Sequence, residues 1–243
     1  MGAIEQNLNA YTKKNIYDFD NEIILHYYPR RIIEKLGGAD CACEKSLLEL
    51  GLGHGYSASE FQKKFLRYRI IEGDKTVIDK FINEHGDFNI DIVHSLFEKY
   101  ESDEQFDVVV AGFVLEHVND PVLVLEKAKK NVKKDGKLFV AVPNAASLNR
   151  RIGYEAGMLS DIMELSEMDY ALGHKRYFIE ESIRSVCISA GLQIESVEGI
   201  YLKPFTTSQI LSLNLNEDII KAFCCVGREY PELCAGMLLE CSM

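Results

Sequence analysis

The chain has 243 residues, 47% of them apolar and 27% charged, ordinary proportions for a globular protein that buries roughly 70% of its unfolded surface. A formal net charge of −11 speaks against nonspecific nucleic-acid binding, because phosphates are repelled unless a basic patch intervenes. No apolar run approaches the ~20 residues of a membrane helix, no export signal is visible, and the seven cysteines lack zinc-type CxxC pairs, so a cytoplasmic protein with reduced thiols is expected.

Residues 1–36 predict helix: Ile23, Ile24, Tyr27, Tyr28, Ile32 and Ile33 recur at helical spacing, and Gly37-Gly38 stops the run. Pro29 predicts a kink or the start of a second helix. From Leu47 the pattern alternates: strand 47–50, helix 56–66, strand 69–72, helix 77–84, strands 90–94 and 106–112, helix 121–131 and strand 137–142. Lysines 127, 129, 130, 133 and 134 are read as the solvated face of one helix. Residues 144–178 break the alternation with Arg150, Arg151 and the methionines Met158, Met163 and Met168, too long for a connector and too amphipathic for disorder; a helical lid is expected. Helix 180–190, strand 192–197, a terminal helix and a final strand near 235–241 complete a seven-stranded, mostly parallel α/β sheet with helices on both faces.

Leu48 to Gly55 read Leu-Glu-Leu-Gly-Leu-Gly-His-Gly, a buried strand breaking into alternating glycines before a helix, as a nucleotide-binding βα unit requires. About 20 residues on, the next strand ends at Glu72, where a carboxylate can accept both hydroxyls of a ribose. Tyr56 occupies the third glycine position of a dinucleotide loop, and no Gly-Lys-Ser/Thr occurs, so phosphate-cradling loops are disfavoured.

Glu49-x-Gly51-x-Gly53-x-Gly55 instead resembles motif I of the class I S-adenosylmethionine-dependent methyltransferases. Phe106-Asp107-Val108-Val109-Val110, Leu115-Glu116-His117-Val118-x-Asp120-Pro121, Lys134-Asp135-Gly136-Lys137-Leu138 and Val142-Pro143-Asn144 resemble further motifs of that family in family order. Over the lid, Asn144-Ala145-x-Ser147-Leu148-x-Arg150-Arg151 and Gly173-His174-x-Arg176-Tyr177 are similar to a small bacterial branch associated with surface-glycan and small-metabolite pathways.

The resemblance implies a Rossmann-like fold with an antiparallel last strand, in a single domain over 1–243. Its parts would be an N-terminal helical cap (1–40), a cofactor-binding core (41–143), a substrate lid (144–178) and the C-terminal part of the sheet (179–243). It implies S-adenosylmethionine as cofactor, held by Gly51, Gly53, Gly55, Glu72, Ser95, Leu96, Gly112 and Phe113, with Glu49 supporting or contacting the loop. His117 and His174 are candidate bases, since imidazole titrates near neutrality. Asn144, Arg150, Arg151, Arg176 and Tyr177 are candidate substrate ligands, the arginines for an anionic group.

No metal, nucleic acid or membrane partner is expected, and the oligomeric state is left open. The expected reaction is methyl transfer to an oxygen of a small polar metabolite, a sugar or nucleotide-linked sugar of a capsule or O-antigen pathway being the leading acceptor. Transfer to nitrogen, or to a phosphonate or carboxylate oxygen, is the near alternative. A noncatalytic cofactor-binding regulatory partner and a nicotinamide oxidoreductase are the alternatives of other classes.

Overall fold

The computed structural model describes residue 16, residues 18–86 and residues 90–243. Helix α1 (Asp18–Lys35) runs through Pro29 without dividing, so the expected second helix does not start there. The rest of the helix expected over 1–36, residues 1–15 and 17, lies outside the described residues. A short α2 (Ala39–Ala42) leads to β1 (Ser46–Leu50), α3 (Tyr56–Phe61), β2 (Arg67–Glu72), α4 (Lys75–His85), β3 (Asp91–His94), β4 (Phe106–Gly112), α5 (Pro121–Lys130) and β5 (Val132–Pro143). The segment 144–178, where a lid is expected, holds α6 (Leu148–Glu155) and α7 (Glu167–Ala171); α8 (Glu180–Ser189), β6 (Gln193–Ile200), α9 (Thr207–Ser212), α10 (Glu217–Gly227) and β7 (Gly236–Ser242) follow.

The seven strands form one sheet in the order β3-β2-β1-β4-β5-β7-β6. β7 lies antiparallel between β5 and β6, and the other neighbouring pairs are parallel. Successive side chains of a strand point to opposite faces, and β4 shows why this one reads as a continuous apolar run. Val109 and Ala111 pack into the core of one face, Val108 and Val110 into that of the other, and all four have no exposure. Burying each valine is worth about 1.5–3 kcal/mol, which holds the strand at the centre of the sheet. Because β1 connects outward to β2 while β4 begins the opposite half, the carboxyl ends of β1 and β4 flank the switch point where open sheets bind ligands.

Three boundaries depart from expectation for local reasons. α3 ends at Phe61, not near residue 66, because Gln62 turns extended and Lys63 takes a positive φ of 60°. β5 starts at Val132, five residues before its expected start, and Lys134-Asp135-Gly136 lies in a bulge: Phe106 pairs with Val132, but Val108 pairs with Lys137. Lys133 and Lys134 therefore sit on this strand and not on the helix carrying Lys127, Lys129 and Lys130. The terminal helix is two helices, α9 and α10, each with an N-cap side chain, Thr206 and Asn216.

Candidate active site

β1 delivers the chain to Gly51, whose N–H donates to the Ile71 carbonyl of β2 at 2.8 Å. Gly51, Gly53 and Gly55 have φ of +86°, +50° and +77°. A Cβ on Gly51 would stand 2.6 Å from Val114 Cγ1, and one on Gly55 2.7 Å from the Phe81 ring, so both positions require glycine for space as well as for φ. Glu72, at the end of β2, accepts the Leu52 N–H with one carboxylate oxygen and the Asp74 N–H with the other, each at 2.8 Å. Those bonds fix the carboxylate against the loop and leave each oxygen a further lone pair.

Loop and acid open into a cavity of about 350 Å³. Gly51, Gly53, Gly55, Glu72, Gly112, Phe113, His117 and His174 line it, so eight of the expected site residues converge. The donors and acceptors suit an adenosyl sulfonium: a carboxylate for ribose hydroxyls, close-approach backbone, and a glycine loop without phosphate-binding Gly-Lys-Ser/Thr. Ser95 and Leu96 stand just past β3 beside this cavity's Phe97, with Leu96 half exposed, and neither lines it.

Of the two roles expected for Glu49, its surroundings favour the support over the cofactor contact. It is buried, lies outside the cavity lining, and accepts hydrogen bonds from Tyr28 and Tyr68 beneath the loop. Burial raises its carboxyl to about 7 against the lowering effect of Ser57, Tyr68 and Tyr28.

The five expected substrate ligands also lie elsewhere. Asn144 is 2% exposed, donates to the Pro231 and Cys234 carbonyls and accepts the Ala146 N–H. Arg150 stacks 4.4 Å over the Tyr177 ring and donates to the Ile162 and Glu164 carbonyls. Arg151 donates to the Ala146 carbonyl, Arg176 to that of Asn119, and Tyr177 to Asp169. Four of them donate to carbonyls of irregular backbone, which has no ladder partners of its own, while Tyr177 donates to a carboxylate. None of the five lines the main cavity.

The opposite wall of the cavity holds the titratable cluster. Glu116 and His117 follow β4 in the turn before α5, whose N-cap Asp120 accepts the Leu123 N–H. His174 arrives from the lid, where the Lys175 N–H donates to the Glu116 carbonyl at 2.8 Å. The two imidazole rings meet edge to face, 4.7 Å between centroids. Asp169, with no family motif to mark it, stands 3.0 Å from His174 Nδ1 and is fixed by Ser166 and Tyr177.

Burial raises Glu116 to about 7, while His174 acts to lower it. Burial lowers His117 to about 4, reinforced by the neighbouring His174. Burial alone would lower His174 too, but Asp169 and Glu116 outweigh it and raise the imidazole. One donor atom each from Glu116, His117 and His174 lies within 4.8 Å of the others, the only such trio among the described residues.

Sequence reasoning missed the wall supplied by α1: Asn21, Ile24, Leu25 and Tyr28 line the cavity. It also missed Asp74, His54 and Leu172 there. His54 and Asp74 follow motif I and β2 directly, so their position in the βα units was a usable signal.

A mostly parallel sheet in this order, a glycine loop at its switch point and an acid closing β2 define an S-adenosylmethionine-dependent methyltransferase of class I. The family model described as a methyltransferase domain matches residues 22–197, and the chain belongs to that family. Among curated proteins it is similar to the ubiquinone biosynthesis O-methyltransferase of Aliivibrio fischeri, 25% identical over 199 residues, covering 79% of this chain and 82% of the relative. The corresponding Coxiella burnetii protein is 24% identical over 185 residues, covering 74% of this chain and 76% of its own. Among solved structures, the N-methyltransferase NodS from Bradyrhizobium japonicum with S-adenosylhomocysteine shares the fold at TM-score 0.61 and 11% identity, covering 99% of this chain and 98% of that one. A Burkholderia thailandensis 1,6-didemethyltoxoflavin-N1-methyltransferase does so at TM-score 0.58 and 13% identity, covering 92% and 80%.

Proposed function

We propose that the protein transfers the methyl group of S-adenosylmethionine to a hydroxyl oxygen of a small cyclic metabolite. The carrying observation is that Glu116, His117 and His174 form one wall of the same cavity that the glycine loop and Glu72 open into. Gly51, Gly53 and Gly55 hold the amino-acid and ribose portions, Glu72 the ribose hydroxyls, and the backbone at Gly112 and Phe113 flanks the sulfonium. Ser95 and Leu96 edge the adenine end. In this reading residues 1–40 cap the site, 41–143 bind the cofactor, 144–178 cover the acceptor and 179–243 complete the sheet.

The bound cofactor supplies an electrophilic methyl carbon on a positively charged sulfur. The protein holds the acceptor oxygen in line with it; such positioning accounts for up to about 7–11 kcal/mol of barrier lowering. As the C–O bond forms the C–S bond breaks, and the hydroxyl proton leaves toward the Glu116–His117–His174 wall. His117 and His174 are the residues assigned to that deprotonation.

Two acceptors have support. The lid motifs favour a sugar or nucleotide-linked sugar of a surface-glycan pathway. A phenolic hydroxyl is favoured by the apolar lining, with Leu25, Tyr28, Phe113 and Leu172 beside the polar wall, and by similarity to O-methyltransferases of ubiquinone biosynthesis. The anionic handle expected from Arg150 and Arg151 loses its support, because their guanidinium groups brace the backbone, while Arg176 gives one nitrogen to the Asn119 carbonyl and keeps another without a partner among the described residues.

Incubation with methyl-labelled cofactor and two acceptor sets, nucleotide sugars and hydroxylated aromatic rings, tests the reading. Label on a hydroxyl oxygen of either set supports it, and the set labelled decides between the two. Label appearing only on nitrogen, or tight cofactor binding without transfer to any acceptor, overturns it in favour of an N-methyltransferase or a regulatory binding protein.

A further inference from the structure

We propose that Glu116, His117 and His174 bind a divalent transition-metal cation at the acceptor end of the cavity, and that the cation takes the methyl-accepting oxygen as a further ligand. Only the second half rests on the hydroxyl-acceptor reading above.

The first support is an unpartnered buried carboxyl oxygen. Glu116 is 1% exposed, its Oε2 has no hydrogen-bond partner, and no salt bridge reaches it among the described residues. Buried carboxylates are paired or coordinate metal, since leaving one bare forfeits its hydration with nothing in return. This atom belongs to a residue lining the cavity, and two imidazoles converge on the same point.

The second support is spacing. The three donor atoms lie within 4.8 Å of one another, and ligands around a four-coordinate zinc-sized ion stand about 3.4 Å apart for metal–ligand bonds near 2.1 Å. Small side-chain rotations close that difference without moving backbone. A third support is the backing of the His174 ring. Asp169 stands 3.0 Å from His174 Nδ1 and is itself held by Ser166 and by the Tyr177 hydroxyl at 2.9 Å. Metal-binding histidines set one ring nitrogen against a carboxylate or carbonyl and the other toward the ion. Asp169 stands within reach of that role, although His174 Nδ1 makes no hydrogen bond among the described residues.

Two imidazoles and one carboxylate suit Zn²⁺, Fe²⁺, Mn²⁺ or Co²⁺ better than the all-oxygen preference of Mg²⁺ or Ca²⁺. Three protein ligands leave at least one coordination position open, and here it faces the cavity. With both imidazoles taken up as ligands they no longer act as bases; the cation lowers the pKa of a hydroxyl bound there instead, and its proton leaves to solvent, as with metal-bound water. The resulting oxyanion attacks the methyl carbon, forming C–O as C–S breaks. The expectation of no metal came from the absence of paired cysteines; this trio is gathered by the fold, with His174 supplied by the lid.

Chelator-treated, dialysed protein is titrated with Co²⁺ alone, followed by visible absorption and calorimetry, with S-adenosylhomocysteine affinity as the check on folding. The wild type is expected to bind one Co²⁺ per chain with the weak ligand-field bands of a nitrogen–oxygen set. Glu116→Gln and His174→Asn are expected to weaken it at least tenfold, and Asp169→Asn about tenfold through ring orientation, with S-adenosylhomocysteine affinity kept within about threefold. No Co²⁺ binding by protein that binds S-adenosylhomocysteine, or equal Co²⁺ affinity in wild type and variants, overturns the metal site and leaves the methyltransferase reading intact. Co²⁺ binding lost in the variants, with no label transferred to any hydroxyl, supports the site and refutes the acceptor reading instead.

Discussion

Gly112→Ala tests the contact on which the roof of the cofactor cavity rests. A Cβ at Gly112 overlaps the Tyr28 hydroxyl and comes within 2.8 Å of Cζ and 3.0 Å of Cε2. Neither side can withdraw easily: β4 is locked to β5 through Gly112 and Ala141, and Tyr28 is 1% exposed within α1. Gly112 has no positive φ, so the cost is steric. Overpacking costs about 1–3 kcal/mol, and displacing the Tyr28 hydroxyl from Glu49 adds about 1 kcal/mol. A loss of roughly 2–4 kcal/mol lowers the melting temperature by about 4–16 °C in a chain of this size. Because Tyr28 and Gly112 both line the cavity, S-adenosylhomocysteine affinity falls as well. A double-mutant cycle with Tyr28→Ala isolates the contact: once the ring is gone, the added methyl should cost less than about 0.5 kcal/mol, a coupling of about 1.5–4 kcal/mol. A melting temperature unchanged by Gly112→Ala, or its full cost persisting beside Tyr28→Ala, refutes the argument.

Glu72→Gln exchanges a carboxylate oxygen for an NH₂ facing the Leu52 or Asp74 N–H, so calorimetry should record S-adenosylhomocysteine binding at least tenfold weaker, about 1.4 kcal/mol. An effect under twofold removes Glu72 from the cofactor site. Glu49 has a folded-state pKa raised to about 7, so the folded protein holds this proton more tightly than the unfolded chain does. Its contribution is complete below the unfolded carboxyl value and is lost as pH rises through about 7. Urea denaturation at pH values on either side of that window should show the stability of wild type falling relative to Glu49→Gln, and parallel curves would refute it. Arg150→Ala strips the donors from the Ile162 and Glu164 carbonyls and the stack on Tyr177, so proteolysis between α6 and α7 should accelerate while S-adenosylhomocysteine affinity holds. Unchanged cleavage would mean the guanidinium does not brace the lid.

The cofactor half of the molecule was legible because its signals are local. A strand, a glycine loop and an acid at the next strand's end are contiguous in sequence, and each is fixed by backbone geometry that only certain residues permit. The lid was legible as a segment but not in its chemistry. Arginines at 150, 151 and 176 look identical in sequence whether they grip a ligand or a carbonyl, and which they do depends on how many backbone acceptors the irregular chain leaves unpaired. Asp169 was illegible for a related reason. Its only local mark is the capping box with Ser166, and its position behind His174 exists only once α7 is folded over the site. Tyr28 belongs to the same class, being one more aromatic on an apolar helix face until β4 brings Gly112 against it.

His174 and His117 come together through three separate ties, and this bears on how the lid works. The Lys175 N–H donates to the Glu116 carbonyl, the Lys175 ammonium to Asn119 at 2.6 Å, and Arg176 to the Asn119 carbonyl. A fourth tie, from the Ala145 N–H to the Phe178 carbonyl, fastens the same stretch to the end of β5. Residues 174–178 are thus stitched to the core on both sides, whereas residues 156–165 between α6 and α7 make their bonds to α6, through Arg150 and the backbone of residues 152–154, and to one another. Opening the cavity by swinging the whole lid would break all four ties and scatter the polar wall. Movement confined to the α6–α7 connection leaves it assembled. Sequence change in that connection can therefore leave the Glu116–His117–His174 wall in place, because the wall is held by the β4–α5 turn and residues 174–178.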